Sequence, residues 1–431
     1  MSVLLSISIA VLAGLLMTRV FKPFKLPSVT AYLIAGVLIG PYGLGALHIS
    51  GLGFTSAEAV SKLSLISEVA LGFIAFSIGN EFRLKSLKAT GRQAAVIGVV
   101  QAVAATALVD VALLVVHTMM PEKLSVAQAI TLGAIATATA PAATLMVVRQ
   151  YKAKGPLTDL LLPIVALDDA VGLVVFAVSF GIAKTLTSGV VDFFSILVNP
   201  LIEIVASLAL GAVMGWLLTQ LEKLFNSNTN RLNLTIAFVF LTASLAMIEV
   251  EVGPVTIGFS SLLVCMMLGT VFCNLCPLSD DLMAASDRWT SPLFALFFVI
   301  SGAELELSVF TDAAIVCIGL VYIVFRSAGK YLGAYASAKW TKCAPNICKY
   351  LGITLLPQAG VALGMCTTAM QLGDAGTLIR NITLFSVLVY ELAGPLLTKQ
   401  ALTKAGDIQP KSEEVINRRQ RKLEAAREKK E

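Results

Sequence analysis

Long apolar runs, rather than strict alternation, set the rhythm of this chain. Stretches such as Val3 to Met17, Ala94 to Val116, Ile204 to Leu218 and Ala313 to Val324 consist mainly of Leu, Val, Ile and Ala, and prolines, glycines and clustered charges end such runs. They lack the in-and-out alternation that a membrane barrel strand requires. A helix needs about 20 mostly apolar residues to cross the hydrocarbon of a bilayer. Cutting the sequence at its breakers gives thirteen spans, near residues 2–20, 28–41, 61–80, 91–118, 126–149, 157–183, 190–219, 231–248, 254–273, 289–303, 312–338, 346–371 and 378–400. The pattern predicts an all-α polytopic membrane protein with about thirteen transmembrane helices.

Composition points the same way, because 57% of the 431 residues are hydrophobic and only 14% are charged. A soluble domain carries about 25% charged residues. The first run has no basic segment before it and no small-residue cleavage site after it, so it reads as a membrane helix and not as a signal peptide. Charge then sets orientation. Arg19, Lys22 and Lys25, then Arg83, Lys85, Lys88 and Arg92, then Arg149, Lys152 and Lys154, and later Lys339, Lys342 and Lys349 occupy alternate connections. Basic loops stay on the cytoplasmic side. Glu249, Glu251 and Asp312 fall in the other set. An odd number of spans places the N-terminus outside and the C-terminus in the cytoplasm, in a multi-pass protein of the cell's inner (plasma) membrane. One cytoplasmic connection runs against the rule, since Asp280, Asp281 and Asp287 outnumber Arg288 there. The net charge of +5 comes from these loops and from the mixed-charge tail 401–431, so it bears on orientation in the lipid bilayer rather than on nucleic-acid binding. Cys273 and Cys276 form an isolated CxxC pair, which lacks the further ligands of a metal site and is assigned no role.

A repeat organises the spans. Phe76-Ser77-Ile78-Gly79-Asn80-Glu81-Phe82 closes the third, and Val299-Ile300-Ser301-Gly302-Ala303-Glu304-Leu305 closes the tenth. Elements seven spans apart run in opposite directions, so the copies form an inverted repeat, an arrangement common in secondary transporters. The repeats cover roughly 28–183 and 254–400, with 190–248 linking them, inside one transmembrane domain 1–400. The same offset of 223 positions, from Gly79 to Gly302, carries Asp168 onto Glu391.

The chemistry collects on the adjacent pair Asp168-Asp169, near the middle of the sixth span. An ionised carboxylate at this depth costs about 2.5–3.5 kcal/mol on insertion scales, so it faces a protein interior or a water cavity. The fifth and twelfth spans correspond in the repeat, and both are interrupted: Ala136-Thr137-Ala138-Thr139-Ala140-Pro141 in one, Leu356-Pro357-Gln358-Ala359-Gly360 in the other. Proline removes a helix donor and clashes with the preceding turn. Two crossed discontinuous helices would bring half-helix ends of both signs together at the membrane midplane, with Thr137, Thr139 and Gln358 beside them. Adjacent helical residues point about 100° apart, so the two aspartates need different partners. One takes a permanent counter-ion, while the other alternates between a proton and a hard cation. Arg326 and Lys330 lie four positions apart on one face of the eleventh span. Lysine can exchange its proton and arginine cannot. Lys330 is therefore assigned to Asp168, and Arg326 is a fixed charge with Glu391, Glu81 or Glu304 as its partner. The opposing arrangement has both cations snorkelling to the cytoplasmic face.

These residues resemble the monovalent cation/proton antiporter superfamily, and within its second family the bacterial sodium/proton exchangers. The resemblance spans essentially residues 1–400. It is carried by Ala31 to Pro41, Gly79 to Phe82, Thr139-Ala140-Pro141-Ala142, Ala166-Leu167-Asp168-Asp169, Phe297-Phe298-Val299 with Gly302, Gly329-Lys330 and Gln358-Ala359-Gly360. It implies a thirteen-helix fold with a dimerisation domain and a core domain, working as a homodimer by elevator-like alternating access. It implies that Asp169 binds the proton and the cation, Na⁺ being the metal ion carried, and that Asp168 pairs with Lys330. Electroneutral relatives typically carry Asn at the position of Asp168, so the Asp-Asp pair with a lysine implies an electrogenic exchanger.

The expected activity is secondary-active Na⁺ (or Li⁺)/H⁺ antiport without a cofactor. A K⁺/H⁺ antiporter or potassium-efflux transporter of the same fold is the alternative, and the tail is too short for the nucleotide-binding domain of potassium-efflux relatives. An intramembrane aspartyl protease is disfavoured, because it brings its aspartates from two helices, and Leu372-Gly373-Asp374 lacks the first glycine of the protease motif.

Overall fold

The computed structural model describes residues 3–24, 26–47, 49, 53–80, 82–188, 199–248, 250–252, 255–305 and 312–408. Most of the apolar runs are helical over their described residues, with three exceptions: two runs are broken and one begins in a hairpin. α1 (Val3–Phe21) and α2 (Ser28–Ile39) precede a short α3 (Ala57–Ser61), then α4 (Ser64–Gly79) and the long α5 (Leu84–Met119). The fifth expected span is two helices, α6 (Val126–Ile135) and α7 (Pro141–Tyr151). α8 (Pro156–Ser188), α9 (Asn199–Glu222), α10 (Asn228–Ala246), α11 (Ser261–Leu275), α12 (Ser279–Glu304) and α13 (Ala313–Trp340) follow. The twelfth span is also two helices, α14 (Pro345–Thr354) and α15 (Gly360–Ala369), and α16 (Asp374–Ala405) ends the described fold. Among the described residues, seven helical segments are long and apolar enough to cross a bilayer by length and composition, including most of α5 and α8 and all of α13 and α16.

Two boundaries differ from expectation. The ninth span starts at Ser261 rather than near 254, because Val250–Val252 and Val255–Ile257 pair as a short antiparallel hairpin. Valine, isoleucine and threonine, which supply most of its positions, favour a pleated strand over a helix turn. The acidic connection before the tenth span is not a loop. Asp280 and Asp281 occupy the first turn of α12, where carboxylates offset the positive end of the helix. Asp280 also pairs with Arg83, and Asp287 sits 2.8 Å from Arg149 and accepts a hydrogen bond from Ser77. Basic neighbours thus balance much of that acidic charge.

The glycines of the repeated motif act as contact points between helices. A Cβ added to Gly302 of α12 would strike the backbone of Leu33 in α2, and one added to Gly36 of α2 would strike Val299 of α12. Gly79 of α4 and Gly269 of α11 meet Met266 and Phe76 in the same manner. α2 therefore packs on α12, and α11 packs on α4. Backbones that come this close leave no space for a side chain and gain dispersion contact in return. On the opposite flank α5 and α13 approach through Gly329 and Gly333, which face Ala105 and Gln101. That packing carries the polar face of α13 to the breaks in α6–α7 and α14–α15.

Candidate functional site

Between α6 and α7 the chain leaves helical geometry at residues 136–140, and Pro141 starts the next helix. A proline is well placed there, because its missing N–H would have had no helical partner. The second break covers residues 355–359, around Pro357. The two breaks touch: the Ala140 amide donates to the Pro357 carbonyl at 2.8 Å. Gln358 ties them again, donating to the Ile135 carbonyl at 3.0 Å and to the Tyr322 hydroxyl at 2.9 Å, while its own carbonyl oxygen accepts from Ser386.

Each break frees carbonyls that a continuous helix would have paired. α13 supplies the donors. Arg326 gives Nε to Ala136 O at 3.0 Å, Nη2 to Ala138 O at 2.6 Å and Nη1 to Leu356 O at 2.8 Å. Its guanidinium also lies over the Tyr390 ring, 4.4 Å from the centroid. One turn later, Lys330 Nζ donates to Thr137 O at 2.5 Å and to Thr139 Oγ1 at 2.9 Å. Both side chains are fully buried, so neither snorkels to the surface. Arg326 forms no ion pair with Glu391 or Glu304 among the described residues, and Glu81 lies outside them. Its planar fork matches carbonyls at the negative ends of two half-helices, which is a different partner from the carboxylates expected.

The two aspartates occupy contrasting surroundings. Asp168 is fully buried and satisfied: Lys330 Nζ lies 2.7 Å from its Oδ2, Thr139 donates to the same oxygen, and Gln101 of α5 donates to Oδ1. Gln101 also donates to the Gly98 carbonyl at 2.9 Å, which fixes its amide. Asp169 is 2% exposed, yet neither of its carboxylate oxygens has a protein hydrogen-bond partner among the described residues. One residue along the helix turns it away from the Lys330 network. Two hard oxygens held in the interior without a protein donor suit a small cation or a proton. No cluster of three His, Cys, Asp or Glu side chains surrounds the site among the described residues. A monovalent ion there would complete its shell with carbonyls, hydroxyls or water.

Of the expected residues, Asp168, Lys330, Thr137, Thr139, Arg326, Pro357 and Gln358 meet at the crossing. Pro141 begins the half-helix beside it. Glu391 is buried at 4% exposure on α16 and lines a cavity next to Pro141, whereas Glu304 is exposed at the end of α12. Four participants did not emerge from the sequence: Gln101, Tyr322, Ser386 and Tyr390. Gln101 carried a signal, since it is the lone amide in the run from Ala94 to Val116. The two tyrosines are ordinary in an apolar helix.

A model of a protein family described as sodium/hydrogen exchanger, transmembrane, matches residues 7–404. The Na(+)/H(+) antiporter NhaS4 of Synechocystis sp. (strain ATCC 27184 / PCC 6803 / Kazusa) is 24% identical over 409 residues, which cover 92% of this chain and 96% of that protein. The high-affinity Na(+)/H(+) antiporter NhaS3 of the same organism is 24% identical over 336 residues, covering 72% and 70%. Two structures of the sodium proton antiporter MjNhaP1 from Methanocaldococcus jannaschii share the fold. One has a TM-score of 0.67 at 17% identity, covering 93% of this chain and 97% of that one. The other has a TM-score of 0.71 at 16% identity, covering 95% and 100%.

Proposed function

The chain belongs to the sodium/hydrogen exchanger family, and on that premise we propose that it is an electrogenic Na⁺ (or Li⁺)/H⁺ antiporter in which H⁺ and the cation compete for Asp169. It is a multi-pass membrane transporter that exchanges a monovalent cation for protons, not an enzyme. The observation that carries the site assignment is the contrast between the aspartates, Asp168 satisfied by three side chains and Asp169 by none. A carboxylate already bonded to a lysine, a threonine and an amide has little left to offer a cation. Its neighbour has both oxygens to give.

The same contrast supports electrogenic exchange. One cation occupies Asp169, while two groups, Asp169 and Lys330, are able to carry protons through a cycle. Arg326 keeps its charge throughout and holds the crossing together when Lys330 changes state. Alternating access would move the crossed half-helices and α8 relative to the panel of α1, α2, α4, α11 and α12, with the inverted repeats 28–183 and 254–400 supplying the two related openings. We place the protein in the inner (plasma) membrane as a homodimer, with its N-terminus outside and its tail 401–431 in the cytoplasm.

The test is proton movement in proteoliposomes after addition of Na⁺, Li⁺ or K⁺, with the membrane potential free and then clamped. Na⁺ or Li⁺ should drive proton movement whose rate depends on voltage. A response to K⁺ alone would replace this reading with a K⁺/H⁺ antiporter, and a rate and endpoint insensitive to voltage would remove the electrogenic assignment.

A further inference from the structure

Glu391 has no task in the scheme above. It sits on α16 at 4% exposure, with no hydrogen-bond or ion-pair partner among the described residues, and lines a cavity of about 200 Å³. The other walls include Pro141 and Ala142 in the first turn of α7, Val361 near the start of α15, Ser260 before α11 and Phe298 of α12. The space is large enough for several water molecules, and Glu391, Ser260 and Ser261 are the polar side chains on its mostly apolar walls. It lies at the N-terminal ends of α7 and α15, across the two breaks from the carbonyls that Arg326 and Lys330 occupy.

The first turns of α7 and α15 carry partial positive charge, which offsets the carboxylate without bonding either oxygen. Glu304, at the exposed end of α12, is the other charged group acting on Glu391. Arg326 is committed to three carbonyls. The cavity therefore presents carboxylate oxygens, two serines and room for hydration, with no cationic side chain on its walls among the described residues. We propose that Glu391 and this cavity form a second, weaker station for the transported monovalent cation, separate from Asp169. This rests on the antiport reading above. Partial compensation by the two helix ends keeps the affinity low, which a waypoint requires, because an ion must leave as readily as it enters.

The test uses charge displacement after a Na⁺ jump in proteoliposomes adsorbed to a solid-supported membrane. Asp169→Asn should stop turnover yet keep a residual binding signal, and Asp169→Asn/Glu391→Gln should abolish that signal. Glu391→Gln alone should raise the KM for Na⁺ about tenfold, the equivalent of roughly 1.4 kcal/mol, and by more than it lowers the maximal rate. Glu391→Asp should recover most of the affinity. A residual signal that survives in the double variant, or a KM unchanged in Glu391→Gln, would overturn the station. Turnover in Asp169→Asn would instead count against the primary site. If Glu391→Gln does not fold, Ala142→Leu fills the cavity with the carboxylate retained; it should raise the KM likewise, and an unchanged KM again overturns the proposal.

Discussion

The Lys330–Asp168 pair gives a quantitative prediction about what holds the crossing together. Both side chains are completely buried, and 2.7 Å separates Nζ from Oδ2. Lys330→Met would leave the Asp168 carboxylate in the interior with Thr139 and Gln101 as donors but no counter-charge. Removing one partner of a buried ion pair costs about 3–5 kcal/mol, mostly through the stranded charge, whereas replacing both with neutral groups is often close to neutral. Lys330 also donates to Thr137 O and Thr139, and two such bonds contribute about 2 kcal/mol that no substitution at Asp168 restores. Lys330→Met/Asp168→Asn should therefore regain roughly 1–3 kcal/mol of the loss in the single variant. An unfolding entropy of about 2.1 cal/mol/K per residue over 431 residues corresponds to roughly 1 °C in midpoint per kcal/mol. Thermal unfolding of purified protein in detergent should show Lys330→Met about 3–5 °C below wild type, with the double variant above the single. A Lys330→Met midpoint equal to wild type, or single losses that simply add, would refute the pairing.

Arg326→Lys keeps the charge but not the planar fork; loss of about two charge-assisted bonds should cost roughly 3–6 kcal/mol, and a wild-type midpoint would show that the three carbonyl contacts contribute little. Gln101→Leu removes one donor from Asp168, worth about 1.5–3 kcal/mol. Its effect on stability should shrink when Asp168 is already Asn, and equal effects in both backgrounds would exclude the contact. Gly302→Leu places a side chain on the Leu33 backbone, so the variant should fail to accumulate as monodisperse protein after extraction; normal yield would mean that α2 and α12 are not so closely packed.

Much of this architecture is legible in the chain because its causes are local. Apolar runs of sufficient length leave helices as the available structure, and Pro141 and Pro357 each interrupt one at corresponding places in the repeat. The buried cations of α13 were visible as charges with no reason to lie in an apolar span. Their partners were harder to read. Carbonyls freed by a broken helix carry no residue-type signal, so the sequence offers Arg326 only carboxylate partners, whereas its acceptors are the backbone of Ala136, Ala138 and Leu356. Tyr390 contributes through its ring face and Tyr322 through a hydroxyl on Gln358, roles that depend on helix rotation rather than spacing. The hairpin at 250–257 was lost inside a hydrophobic window, since valine and isoleucine suit both a membrane helix and a strand.

The central claim is that cation and proton meet at Asp169. The direct measurement compares wild type with Asp169→Asn in proteoliposomes, following internal pH after a Na⁺ or Li⁺ addition and confirming equal insertion and folding. Wild type should move protons against the cation, and Asp169→Asn should not move them at any cation concentration. Full Na⁺-driven proton movement in Asp169→Asn would contradict the account.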